Sequence, residues 1–161
     1  MPGFRKYAAT VAVFAAVLFL ALVIAVFGMV SLLAAVPVIG DPHAGELAGP
    51  VAVAAATLLQ FGCLLAIALR VPEDRQRIAP LTAFAIAVGA YLAYAIFGAI
   101  AYFFARDAVG ALIFLGGLLT GPFAFTLGII AFVITLLFML VLASRVGDRG
   151  RPLWPWEKRG E

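Results

Sequence analysis

The chain has 161 residues, of which 66% are hydrophobic and 12% charged, with a mean hydropathy of +1.17. Soluble domains carry about a quarter charged residues, so this composition excludes a water-solvated globule and requires lipid as the solvent. The net charge is +3, but the basic residues gather at the ends of apolar runs, which is a topology signal, and no nucleic-acid partner is expected.

A membrane-spanning helix needs about 20 apolar residues, at 1.5 Å rise each, to cross a hydrocarbon core of about 30 Å. Four runs qualify. The first follows Arg5 and Lys6 and extends over about 7–36, which is longer than the 7 to 15 residues of a signal-peptide core, so an uncleaved first span is expected. Pro37, Gly40, Asp41 and Pro42 stop it. The connection after it holds Asp41, His43 and Glu46 but no Lys or Arg, as an outer loop would. A second span is expected over about 50–69, opened by Pro50 and closed by Arg70.

The stretch from Arg70 to Pro80, RVPEDRQRIAP, is the charged cluster between two apolar halves and pins the middle of the chain to one membrane side. A third span follows over about 80–105 and ends at Arg106 and Asp107. The next apolar run, Ala108 to Ala143, is too long for one crossing and is interrupted by Gly116, Gly117, Gly121 and Pro122. It divides into an apolar half-helix over 108–120, either lying at the outer surface or re-entrant, and a last span over about 122–143. Residues 144–161 form a basic tail with Trp and Pro.

Ten of the 11 Lys and Arg residues fall on one side under this arrangement, and only Arg106 falls on the other. The positive-inside rule then places both termini and the 70–80 loop in the cytoplasm. The expected fold is all-α: one integral membrane domain, a four-transmembrane-helix bundle of two hairpins with the short outer half-helix before the last span. The cell membrane is the expected location.

Lipid tails are as apolar as leucine, so spans associate through small residues and interhelical hydrogen bonds. Stripes of that kind occur at Ala21, Ala25, Gly28 and Ser31, then at Ala52, Ala56, Gln60, Cys63 and Ala66. The third and fourth spans offer Ala87, Tyr91, Tyr94, Gly98 and Tyr102, and Ala124, Gly128, Ala131 and Thr135. Gln60, Tyr91, Tyr94 and Thr135 all fall near mid-span. A polar group without a partner in hydrocarbon costs several kcal/mol, so these four are expected to turn inward and satisfy one another. Such a cluster reads either as a structural clasp or as a substrate-binding group.

Reactive chemistry is sparse. His43 is the single histidine and Cys63 the single cysteine, which excludes a bis-histidine haem site or a Cys-x-x-Cys redox centre within one subunit. Asp41, His43 and Glu46 lack a metal-ligand spacing, so no metal or cofactor is expected. The spans hold no ionisable residue at depth, whereas ion-coupled transporters place one there. The tail RVGDRGRPLWPWEKRGE combines Trp154 and Trp156 with Arg149 and Arg151, which suits either an interfacial anchor or a docking segment.

The alanine- and valine-rich spans, the basic loop and the Trp-Pro-Trp tail together resemble uncharacterised small four-helix integral membrane proteins of bacteria with GC-rich genomes. That resemblance implies no activity. The expected function is non-enzymatic: an accessory or assembly subunit contacting a membrane partner or a second copy. The alternative is a small oligomeric transporter or channel for an apolar or neutral solute.

Overall fold

The structure is a computed structural model, and it describes residues 2–39, 46–72 and 78–149, with side chains over 4–39, 46–72 and 78–144. The described residues form five helices and no strand: α1 (Pro2–Ala34), α2 (Ala48–Arg70), α3 (Pro80–Ala105), α4 (Ala108–Thr120) and α5 (Pro122–Arg149). Four contain a segment long and apolar enough to cross a membrane, namely Phe4–Ala34, Ala48–Arg70, Pro80–Ala105 and Pro122–Ser144, while α4 is shorter.

Local chemistry sets the breaks. Ala35 ends α1 in the left-handed region at φ 52°, a position glycine usually fills, and the chain turns there into Val36 and Pro37. α2 starts two residues ahead of Pro50, which fits because the first-turn N–H groups of a helix have no internal acceptor anyway. Pro80 opens α3 with its fixed φ. Asp107 caps α4: its Oδ2 accepts from the Gly110 N–H at 3.1 Å. Glycine is required at 110, because a Cβ there would lie 2.8 Å from both Asp107 Oδ1 and Tyr102 Cε1.

α3 sits at the centre and packs against α2, α4 and α5, while α1 closes the other side against α2 and α5. The largest cluster joins Phe19, Val23 and Phe27 of α1 to Ala52 and Ala56 of α2, Tyr94 of α3 and Phe123 to Ile134 of α5. A second gathers Phe4, Ala8 and Ala12 with Leu64, Ala68, Phe138 and Leu142, so the beginning of α1, the end of α2 and the later part of α5 share one end of the bundle. Ala48, Tyr102 and Ala111 meet at the opposite end.

The small-residue stripes require two corrections. On α1, Ala21, Ala25 and Gly28 are exposed, and the buried face is Phe4, Ala8, Ala12, Ala16, Phe19, Val23 and Phe27. Near the helix break the ring of Phe27 meets those of Tyr94 and Phe123 edge to face at 5.8 and 5.2 Å. On α2 the stripe continues past Gln60 to Leu64 and Ala68, leaving Cys63 and Ala66 half-buried. Ala87, Tyr94, Gly98 and Tyr102 on α3, and Ala124, Ala131 and Thr135 on α5, are buried as expected.

α4 does not lie across the end of the bundle. It runs back along α3: Phe114 stacks on Tyr102 at 4.9 Å, and Leu118 reaches the Cα of Gly98 closely enough that a Cβ there would meet its Cδ1 at 2.7 Å. The Tyr91 hydroxyl, near the middle of α3, donates to the Leu119 carbonyl at the far end of α4. α4 thus packs back along α3 toward its middle, and Thr120, Gly121 and Pro122 separate it from α5.

Candidate functional site: the interrupted last span

Thr120, Gly121 and Pro122 separate α4 from α5. Gly121 is extended at φ −76°, ψ 151°, the conformation favoured before proline, and Pro122 has no N–H to continue the helical ladder. The end carbonyls of α4 have no onward helical partners, and several carbonyls of its last turns accept other donors. Thr120 Oγ1 donates to the Gly116 carbonyl at 3.0 Å, the Gly121 N–H to that of Leu118 at 3.3 Å, and the Tyr91 hydroxyl to that of Leu119. The break is therefore a built feature of this site.

Tyr91→Phe should remove the donor while keeping the ring. Leaving a carbonyl unpaired costs about 1–3 kcal/mol when buried, and this bond is half-buried. A loss of about 1 kcal/mol in detergent-solubilised thermal stability is expected, with faster hydrogen exchange confined to the end of α4.

A cavity of about 340 Å³ adjoins the break. Val36 and Pro37 from the turn after α1, Phe114 and Gly117 of α4, Tyr94 of α3 and Pro122 of α5 are among the residues that line it. Tyr94 is 1% exposed and forms no hydrogen bond among the described residues.

The expected four-residue cluster divides. Gln60 and Thr135 do meet: Gln60 Nε2 donates to Thr135 Oγ1 at 2.9 Å and to the Ala131 carbonyl at 3.1 Å, while Thr135 Oγ1 donates to the same carbonyl at 2.8 Å. Both residues are fully buried. Tyr91 and Tyr94 do not join them and are engaged instead at the α4–α5 break. The reason is α4, packed back along α3, whose Leu119 carbonyl claims Tyr91. Gln60 Oε1 is left buried without a partner. Exchanging the amide oxygen and nitrogen would not help, since the Ala131 carbonyl can only accept.

Among the described residues no group of three His, Cys, Asp or Glu could hold a metal. Asp41, His43, Arg151, Trp154 and Trp156 lie outside the described residues, as does the side chain of Arg149. Sequence reasoning named Gly117 and Pro37 only as helix breakers and did not single out Phe123; the Gly-Pro pair at 121–122 was the signal that marked the location.

Four helices long and apolar enough to span mark, by length and composition, a multi-pass helical membrane protein, with the shorter apolar α4 set before the last of them. The chain belongs to DUF6121, a family of unknown function, which it matches over residues 1–161. No curated protein and no solved structure matches it.

Proposed function

We propose that this is a non-enzymatic protein of the cell membrane, with both termini cytoplasmic, that takes a small apolar or neutral solute into its interrupted span. The cavity beside the α4–α5 break carries the reading. Discontinuous helices inside membranes expose backbone groups that a continuous helix would consume, and solute sites are characteristically built at such breaks. The scarcity of ionisable groups in the spans supports an uncoupled binder, carrier or channel over an ion-driven pump. A chain of this size would conduct solute as an oligomer.

Purification of the full chain in mild detergent, followed by mass spectrometry of its proteins and extractable small molecules, tests this. A stoichiometric small molecule, absent from a Gly117→Leu variant, is expected. A stoichiometric protein partner with no small molecule would favour the accessory or assembly role instead.

The topology has its own test. In a Cys63→Ala background, a cysteine introduced at Glu46 should react with an impermeant maleimide only from outside, and one at Gln76 only from the cytoplasmic side. Reversal of either result would overturn the orientation.

A further inference from the structure

We infer that the cavity at the α4–α5 break recognises a lipophilic molecule through a neutral carbonyl oxygen, an inference that rests on the solute-binding reading and specifies its ligand. Two of the residues lining the cavity, Phe123 and Tyr94, carry donors with no hydrogen-bond acceptor among the described residues. The Phe123 N–H lies in the first turn of α5, its residue is buried, and it donates no hydrogen bond among the described residues. Gly121, which precedes the helix, has no side chain with which to cap it. The second is the hydroxyl of Tyr94, a residue 1% exposed that lines the same cavity and has no hydrogen-bond partner among the described residues.

Buried donors are nearly always paired, so donors left over at a cavity call for an acceptor from a ligand. The partial positive charge of a helix N-terminus favours such an acceptor. A full negative charge is disfavoured, because no Lys or Arg lines the cavity and an unpaired ion in a low-dielectric site carries a penalty its attraction to a helix end does not repay. A neutral carbonyl, as in an ester or ketone, matches both conditions. The remaining walls, including Val36, Phe114 and Leu118, suit a hydrocarbon tail.

The test uses the full-length protein in nanodiscs and three probes of equal chain length: methyl decanoate, decanoate and decane. Binding is read by equilibrium dialysis against empty nanodiscs. Two variants are compared with the parent chain. Tyr94→Phe keeps the ring against Phe27 and removes one donor. Gly117→Leu adds a side chain at a cavity-lining position where a Cβ meets nothing within 4 Å, and leucine favours the helix over glycine.

The ester is expected to bind saturably and tighter than decane or decanoate. Tyr94→Phe should weaken the ester by about 3- to 10-fold, the range of one neutral hydrogen bond, and leave decane unchanged. Gly117→Leu should abolish binding. Equal affinity for ester and decane, both lost in Gly117→Leu, would overturn carbonyl recognition while leaving the cavity as the solute site. Tighter binding of decanoate would overturn the neutral ligand in favour of an anion. No saturable binding, or binding untouched by Gly117→Leu, would overturn the recognition and the solute-binding reading together.

Discussion

Gln60→Glu is expected to lower the stability of the detergent-solubilised protein by several kcal/mol, whereas Gln60→Leu should leave it within about 1 kcal/mol of the parent or raise it. The difference follows from what each change leaves behind. Gln60 is fully buried, and its Nε2 bonds Thr135 and the Ala131 carbonyl while its Oε1 has no partner. A carboxylate there loses both donated bonds, faces a carbonyl that repels it and has no cation to pair with. Leucine also loses the bonds, but it removes the orphaned oxygen, and the partners stay satisfied because Thr135 Oγ1 already donates to the Ala131 carbonyl. Thermal unfolding of the three proteins in one detergent measures the effect. A Gln60→Leu variant as damaged as Gln60→Glu would mean that the amide carbonyl is in fact bonded in the membrane.

Gly98→Leu should be the most damaging packing change, costing about 1–3 kcal/mol or more as overpacking. At Gly98, α3 lies close to both α2 and α4. A Cβ on this glycine would lie 3.3 Å from the Ala52 Cβ and 2.7 Å from Leu118 Cδ1. Leu118 can swing away from a methyl, so Gly98→Ala should be mild. A larger group meets Ala52 as well and must wedge α4 off α3, breaking the stack of Phe114 on Tyr102. A large loss for Gly98→Leu with a small one for Gly98→Ala, read by thermal unfolding, is the expected pattern. Equal effects would place the three helices further apart than described.

Much of the architecture was legible because the membrane imposes it. A run such as that between Pro80 and Ala105 has few alternatives to a spanning helix, and the structure has a helix over those same residues. The half-helix over 108–120 was legible for the same reason: glycines and Pro122 interrupt a run too long for one crossing. Its direction was not, because an apolar segment of 13 residues reads alike whether it lies on a surface or dips inward. That missing piece misassigned Tyr91 and Tyr94, since depth along α3 predicts which polar groups could meet Gln60 but not that the end of α4 would claim one of them. The buried face of α1 was missed on physical grounds too. Small residues mark where helices touch closely, and this part of α1 instead packs through Phe19 and Phe27.

The central claim, that α4 descends to the middle of α3, is tested most directly by depth. Spin labels at Val109, Ile113, Gly116 and Thr120, placed singly in a Cys63→Ala background, occupy exposed positions along α4. Their relative collision rates with oxygen and with a water-soluble nickel chelate report immersion in the bilayer. The contrast should rise steadily from Val109 to Thr120, because about 1.5 Å of helix per residue carries the label inward. Four labels at one shallow depth would instead place α4 flat on the membrane surface and contradict the interrupted span.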